Sequence, residues 1–331
     1  MLKEQMSRHS QSVICWAVLV VCLVTPLLPA SAQAAGGSGD LWQSFGVGDG
    51  LRSGNVSAVY AAFDGSLWFG TDAGVSSFDG HQWQTLGAAE GLPADRVRAI
   101  AQTGDGAFWF ATKTAGLARR LPGTKCCQTW STLQGLPSND VWALLPAAAS
   151  PAGHGEPGLW VGTAQGLVYL DGTRVLRDSP LADAAILALA AGPDAALYVS
   201  ANGRGIWQRS RAGEWRVVNG SAPPTGEVFA LLVEADGRLW AGTQSGLFFY
   251  DSMPRGSGQG GTWQRFPLAG LTDGPVVFAV VQDRTGGLWL GTDQGLFYDA
   301  DARSDAAPIV QWRAQRDGLV SDYVRAMAFG G

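Results

Sequence analysis

Residues 67–74 read LWFGTDAG, and a near-copy, LWLGTDQG, occupies residues 288–295. Related phrases stand between them, so the pattern occurs six times, at intervals of 38 to 51 residues between its central aromatics. A phrase repeated at this spacing is the mark of a repeat protein, in which each copy belongs to one structural unit. The central aromatics are Trp68, Trp109, Trp160, Tyr198, Trp240 and Trp289.

Each repeat has the pattern of a four-stranded antiparallel sheet. In the first repeat, four short apolar segments at 56–62, 66–70, 75–78 and 83–86 are separated by turns that contain Asp-Gly or Gly. Asp-Gly between two apolar segments is a strong hairpin signal. Four short strands in a period of about forty residues are typical of a β-propeller blade, so the sequence predicts an all-β propeller.

The three parts of the repeat do not occur equally often. The central hairpin occurs six times, whereas the outer strand (LWQSF at 41–45 is the first copy, and a weaker copy lies around Val175) and the inner strand each occur seven times. We therefore predict six complete units plus a split, incomplete seventh blade made from 41–45 and 324–329, in a chain truncated at its C-terminus. The alternative is a complete six-bladed ring with loose ends. The inner strands are expected to begin at Val56, Val97, Val141, Ile186, Val228, Val276 and Val324.

The N-terminus has the pattern of a secretory signal. Lys3 and Arg8 precede an apolar segment at 13–30, and small residues follow. Residues 1–32 are predicted to be a signal peptide cleaved after Ala32, with an uncleaved membrane anchor as the alternative. The remaining organisation is then a linker at 33–40 and the propeller at 41–331.

Composition excludes several function classes. A net charge of −5 among 331 residues, with 15% charged residues, does not provide the basic surface that nucleic acid requires. Cys126 and Cys127 are adjacent and cannot form the spaced cross-links of a disulfide scaffold. They are expected to be ordinary loop residues, with a vicinal disulfide as the alternative.

No catalytic residue, metal site or cofactor site can be assigned from the sequence. The three histidines, His9, His81 and His154, lie far apart, and no His, Cys or carboxylate cluster has ligand spacing. The recurring aspartates are interpreted as turn formers. The repeated tryptophans are interpreted as core residues rather than sugar-stacking platforms, because their placement is the same in nearly every repeat.

The repeats resemble the two-component regulator propeller family. The matching residues are GLPADRVRAI (91–100), GLPSNDVWAL (135–144) and ADGRLWAGTQSGL (235–247), and the resemblance covers about 41–331. It implies paired seven-bladed propellers in the periplasmic sensor part of hybrid histidine kinases, followed by a β-sandwich, a membrane helix and kinase modules. The unit at 186–227 departs from the pattern and is expected to be irregular.

Ligand binding is expected where the repeats differ. In a propeller, the loops between the second and third strands and the loops between blades open on the same face. Polar residues that vary from repeat to repeat in these loops are the candidate ligand-binding residues: Asp72, Arg96, Lys113, Asp140, Gln165, Arg204, Glu227, Gln244, Asp293 and Asp322.

These observations favour a sensor rather than an enzyme. The expected function is an extracytoplasmic ligand-sensing propeller, an N-terminal fragment of a larger two-component receptor that is attached to the membrane through its later part. The resemblance makes a glycan or another small periplasmic molecule the expected partner, allows a homodimer of the full receptor, and places any kinase activity in the later modules. The alternatives are a secreted protein-interaction scaffold and, less favoured, a propeller lyase or hydrolase.

Overall fold

The structure is a computed structural model that describes residues 43–124, 127–147, 158–172, 174–177, 179–219, 224, 226–251, 261–268, 274–302, 309–317 and 319–329. Within these ranges the chain forms six four-stranded antiparallel sheets, each built from four consecutive strands. These sheets are the six blades of a β-propeller, which confirms the predicted fold class. The predicted signal peptide and linker lie outside the described residues.

The strands of each blade follow one another from the inner to the outer edge. Blade 1 contains β1 (Val56–Ala61), β2 (Leu67–Thr71), β3 (Gly74–Phe78) and β4 (Trp83–Leu86), and blade 2 contains β5 (Val97–Gln102), β6 (Phe108–Thr112), β7 (Leu117–Arg120) and β8 (Gln128–Trp130). Blade 3 contains β9 (Val141–Pro146), β10 (Leu159–Thr163), β11 (Gly166–Asp171) and β12 (Arg174–Leu176), and blade 4 contains β13 (Ile186–Ala191), β14 (Leu197–Ala201), β15 (Gly205–Arg209) and β16 (Trp215–Val217). Blade 5 contains β17 (Val228–Val233), β18 (Leu239–Thr243), β19 (Gly246–Asp251) and β20 (Thr262–Arg265), and blade 6 contains β21 (Val277–Gln282), β22 (Leu288–Thr292), β23 (Gly295–Asp299) and β24 (Val310–Trp312).

Short helical turns occur in four connections. Three of them are single 3-10 turns, at Ala88–Glu90, Thr132–Gln134 and Pro193–Ala195, and the fourth is α1 (Ala314–Asp317). Almost no helix is therefore present in the described chain, as expected for an all-β propeller.

Asp-Gly turns close the inner hairpins of blades 1, 2 and 5. In blade 1, Gly65 has a φ of +83° and the carboxylate of Asp64 accepts hydrogen bonds from the backbone N–H and the hydroxyl of Ser66, at 3.0 and 2.6 Å. A positive φ favours glycine, and an aspartate bonded two residues ahead stabilises the turn. The interpretation of the recurring aspartates as turn formers is thus confirmed at this site.

The repeated aromatics of the second strands form the cores between blades. They are all buried, and Trp240 is fully buried. The ring of Trp68, for example, stacks against Phe108 of the next blade with 4.0 Å between centroids. This arrangement agrees with the interpretation of these residues as core.

The glycine two positions after Trp68 faces the neighbouring blade. A Cβ atom on Gly70 would lie 2.9 Å from Cγ1 of Val97, which begins the inner strand of the next blade. The glycine therefore permits close approach of the neighbouring blade, although blades 2 and 4 have Ala111 and Ser200 at this position.

The structure shows six blades and not the incomplete seventh. Within the described residues, neither 43–45 nor 324–329 forms a strand. Phe45 instead packs against Phe78 and Trp83 of blade 1. Val324 is buried against blade 6, where its backbone N–H donates to the carbonyl of Thr292 at 2.8 Å.

Candidate ligand-binding site at the channel mouth

Every inner strand has a β-bulge at its second residue. In blade 1 the register passes from Val56 opposite Thr71 to Ala58 opposite Gly70, so Ser57 has no partner across the sheet. The same shift occurs in the other five blades. A bulge redirects the side chain of the extra residue. The bulged residues are Ser57, Arg98, Trp142, Leu187, Phe229 and Phe278, and Arg325 follows Val324 in the same way; we call these seven residues the channel ring.

The channel ring lies at the propeller axis. Inner strands of successive blades pack against one another from β1 through β5, β9, β13 and β17 to β21. Ring members from neighbouring blades are in contact: the guanidinium of Arg98 lies 4.3 Å from the centroid of the Trp142 ring, and the rings of Phe229 and Phe278 are 5.8 Å apart. The seven positions therefore surround the mouth of the central channel.

The channel ring has an apolar side and a polar side. Four consecutive blades contribute Trp142, Leu187, Phe229 and Phe278. The other three positions, Arg325, Ser57 and Arg98, are polar and two of them are cationic. Tyr323 extends the apolar side, because its ring lies 4.7 Å from that of Phe278. The guanidinium of Arg325 lies 5.8 Å from both of these rings.

Arginine charges are concentrated on the polar side. Burial lowers the pKa of Arg98, the charge of Asp140 acts in the opposite direction, and the charges of Arg96 and Arg325 lower the pKa further. Arg98 is therefore close enough to two other guanidinium groups to be affected by their positive charge. Such a concentration of positive charge at a channel mouth attracts anions.

Three polar atoms beside this cluster have no hydrogen-bond partner within the described part of the chain. They are Nε of Arg98, Nε1 of Trp142 and Oδ1 of Asp140. Arg98 Nε and Asp140 Oδ1 are 3.4 Å apart as an ion pair, but without the alignment of a hydrogen bond. Buried polar atoms without a hydrogen bond are unusual in folded proteins, so Nε1 of Trp142 is a donor that a bound molecule could engage.

The two sets of loops predicted from the sequence meet on the same face as the channel ring. The backbone N–H of Lys113, in a second-to-third strand loop, donates to the carbonyl of Arg96 at 3.0 Å, and Gln244 donates to Glu227 in the same way at 3.1 Å. Ala164, next to Gln165, donates to Asp140 at 2.9 Å. Each blade thus brings one loop of each set together.

Several of the predicted side chains are already bonded within the loops. Asp72 accepts from the side chain of Asn55 at 3.1 Å, and Glu227 accepts from Asn202 at 3.1 Å. Three other predicted side chains bond to backbone groups. Asp293 accepts from the N–H of Val276 at 2.9 Å, Asp322 accepts from that of Ala314 at 2.7 Å, and Arg204 donates to the carbonyl of Pro180 at 3.5 Å.

Two of the predicted residues, Asp140 and Arg96, are linked to the channel ring through Arg98. Sequence reasoning missed the ring itself. Its signal was present, because the residue after each inner-strand valine or isoleucine changes type from repeat to repeat while the flanking residues stay apolar.

Two cavities lie outside the channel mouth. One of about 520 Å³ lies between blades 1 and 2, but its charged residues are engaged: Glu90 accepts from the N–H of Gly87 at 2.6 Å, and Arg120 donates to the carbonyl of Thr124 at 3.2 Å. The other, of about 350 Å³, lies between blades 4 and 5 beside the segment 219–226, part of which lies outside the described residues. The channel mouth is therefore the better candidate.

Neither a metal-binding cluster nor a membrane-spanning helix is found in the described residues. No group of three or more His, Cys, Asp or Glu residues is placed to hold a metal ion. No helix in the same residues has the length and apolar character needed to span a membrane.

The six similar blades show that the protein is a β-propeller built from sequence repeats. Sequence comparison identifies the family of the repeat. Residues 91–114 and 270–294 match the two component regulator propeller model. The chain therefore carries repeats of this family, which confirms the resemblance. No curated protein matches this chain by sequence.

Solved structures with the same fold come from several functional classes. The extracellular domain of a hybrid two component system from B. thetaiotaomicron is 20% identical, with a TM-score of 0.68 over 86% of this chain and 38% of that chain. PorZ, a surface component of the type-IX secretion system of Porphyromonas gingivalis, is 16% identical, with a TM-score of 0.64 over 83% of this chain and 44% of that chain. Virginiamycin B lyase from Staphylococcus aureus is 12% identical, with a TM-score of 0.64 over 84% of this chain and 89% of that chain.

These identities establish a shared fold alone. The chain spans well under half the length of the two-component domain, so activities of that whole protein are not transferred by the match.

Proposed function

We propose that this chain is the ligand-binding propeller of an extracytoplasmic sensor, and that it forms the N-terminal part of a longer two-component receptor. The observation that carries the proposal is the channel ring. Blades that are near-copies elsewhere place Ser, Arg, Trp, Leu and Phe at one bulged position on one face. Residue types that vary at one equivalent position of a repeated scaffold are typical of a binding surface.

Two further observations support the sensor role. The matched repeats belong to a family described as two component regulator propellers. A structure with the same fold is the extracellular domain of a hybrid two component system, and this chain corresponds to 38% of it. The N-terminal signal pattern supports export of the domain.

Ligand binding can be tested on the purified chain by thermal unfolding against a panel of glycans and small metabolites. A ligand that binds the folded state raises the midpoint in a saturable way. The stabilisation should fall when Lys113 and Gln244, on the loop face, are replaced by alanine. It should persist in Arg284→Gln, which alters an exposed residue in a hairpin turn at the opposite face. Absence of any saturable shift across the panel would contradict the ligand-sensing role.

Export can be tested separately. Expression of the complete chain in a bacterial host should yield a periplasmic protein that begins at Gln33, as measured by mass spectrometry of the intact N-terminus. A cytoplasmic protein that retains residues 1–32 would contradict the extracytoplasmic location.

A further inference from the structure

The junction between blades 4 and 5 lacks a side chain that the other junctions have. The segment that leads into each of the other inner strands, and the one that leads to Val324, buries a leucine in the apolar cluster there: Leu51, Leu92, Leu136, Leu181, Leu268 and Leu319. The segment at 218–227, which leads into β17, reads VNGSAPPTGE and contains no leucine. The cluster around Val228 accordingly includes no leucine from a connecting segment among its described residues.

A cavity of about 350 Å³ lies at this junction. Its wall includes Ile206 and Val228, which are buried, and Val217 and Val218, which are half-buried. Protein interiors are otherwise close-packed, and pockets for small molecules begin at about 300 Å³. Cavities with apolar walls take up small apolar molecules.

We propose that this cavity, the junction pocket, is a second binding site and takes a small neutral apolar molecule that carries an oxygen acceptor. None of the seven channel-ring residues lines the junction pocket, so the site goes beyond the function proposed above. Asn202 and Gly203 line it and are exposed, so the pocket opens to solvent at the loop between the second and third strands of blade 4.

The lining favours a neutral molecule. No charged side chain lines the junction pocket among the described residues. The carboxylate of Glu227 lies next to it but accepts a hydrogen bond from the side chain of Asn202 at 3.1 Å. Burial of a charged group without an opposite charge costs several kilocalories per mole, so anions and cations should both be disfavoured.

Trp263 accounts for the oxygen acceptor. Its side chain lines the junction pocket and is 3% exposed, and its Nε1 has no hydrogen-bond partner in the described part of the chain. The hydroxyl of Ser200, another lining residue, is already engaged, because it donates to the carbonyl of Val228 at 2.9 Å. A buried donor without a partner is costly, and a ligand oxygen that accepts from Trp263 removes that cost.

The test is isothermal titration calorimetry of the full chain with acetophenone at pH 7. The comparison compounds have nearly the same shape: α-methylstyrene lacks the oxygen, benzoate is an anion, and 1-phenylethylamine is a cation. Acetophenone should bind with one site. It should bind about threefold to tenfold more tightly than α-methylstyrene, because of one hydrogen bond, and at least about tenfold more tightly than either ion.

Substitutions locate the site. Val218→Phe fills the junction pocket and should weaken acetophenone binding about tenfold or more, whereas Val320→Phe, the same change at a valine that is 45% exposed, should leave it unchanged. Trp263→Phe keeps an aromatic ring without the donor, so acetophenone should lose its advantage over α-methylstyrene. Phe278→Ala, in the channel ring, should have no effect. Circular dichroism and thermal unfolding should establish that each variant is folded.

Several results would overturn the second site. They are no acetophenone binding, binding unaffected by Val218→Phe, equal binding of acetophenone and α-methylstyrene, or binding of either ion as tight as that of acetophenone. Binding that is lost in Phe278→Ala and kept in Val218→Phe would place the molecule at the channel ring instead. In each of these cases the ligand-binding role of the channel face still stands or fails on its own test with glycans and metabolites.

Discussion

In four blades, the indole N–H of the second-strand tryptophan donates a hydrogen bond to a side chain in the first hairpin of the same blade. The acceptors differ: Trp68 donates to the hydroxyl of Ser66 at 2.9 Å, whereas Trp240 donates to the carboxylate of Glu234 at the same distance. Glu234 is almost fully buried and also accepts from Gln282 of the next blade at 3.4 Å. A charged acceptor forms the stronger hydrogen bond and is the more costly one to leave without a donor.

Trp240→Phe should therefore destabilise the propeller more than Trp68→Phe. Both substitutions remove the same atoms from a buried position, so the volume change is matched. We expect a difference of about 1 kcal/mol in the free energy of unfolding, measured by urea denaturation. Equal losses would show that the Glu234 bond contributes no more than the neutral one.

The turn aspartate of blade 6 links stability to pH. Burial raises the pKa of Asp283, but hydrogen bonds from Thr285, Trp289 and Gly287 outweigh burial and lower the pKa below its ordinary value of 3.8. A folded-state pKa below the unfolded value contributes stability above the unfolded pKa, and this contribution is lost as the pH falls through the folded pKa.

Asp283→Asn should accordingly cost about 1–2 kcal/mol of unfolding free energy at pH 7, because the charge-assisted hydrogen bonds are weakened. The difference between the variant and the parent should shrink at pH 3 and below. Chemical denaturation at both pH values measures it, and a difference independent of pH would contradict the role of the charge.

The four-stranded blade is preserved where its characteristic residues are replaced. Blade 4 has Tyr198 for tryptophan, yet its strands keep the same register and bulge as the others. Within the described residues of this blade, the expected irregularity includes the turn at Pro193–Ala195, where Asp194 and Ala195 have φ values of +55° and +58°. Side-chain packing between blades therefore fixes the strands, and the turn adapts.

Ala195→Gly should stabilise the protein by about 0.5–1 kcal/mol, because glycine adopts a positive φ without the steric cost that alanine has. The matched control is Ala196→Gly, at a residue with an ordinary extended backbone, which should destabilise by a similar amount. Thermal and urea unfolding measure both. A loss of stability in Ala195→Gly would show that the turn is held by interactions of its methyl group.

Much of the strand arrangement could be predicted from the sequence. Even the outer strand without tryptophan was located correctly, at Arg174–Leu176. The bulges could not be predicted, because the one-residue shift depends on pairing across the sheet. The sequence of a single six-residue strand does not reveal that pairing. The loop residues of the candidate site could be named, but the pairing of Arg98 with Trp142 required the order of the blades around the axis.

In the whole molecule, segments outside the strands cover the first and last blades, blade 1 and blade 6. Phe45 and Leu51 pack on blade 1, and Leu51 is buried with Val56 and Phe69. Val324 is buried on blade 6, close to Gly291, where an added Cβ would lie 2.7 Å from the Val324 carbonyl. These segments shield apolar sheet faces from water.

Val324→Ala should cost about 2 kcal/mol of unfolding free energy, because two buried methyl groups are lost and a small cavity remains. Val320→Ala, at a nearby residue that is 45% exposed, should change it by less than about 0.5 kcal/mol. Urea denaturation of the two variants provides the comparison. Equal effects would mean that the segment does not stabilise blade 6.

The bulges have a consequence for how such a protein can change. A bulged residue has no partner across its own sheet, so replacing it leaves the pairing of the blade intact. The proposed binding positions and the paired positions are therefore different residues of the same strand. The six bulged positions can therefore be changed one at a time without loss of strand pairing. A library restricted to them should yield propellers that fold alike and bind different molecules.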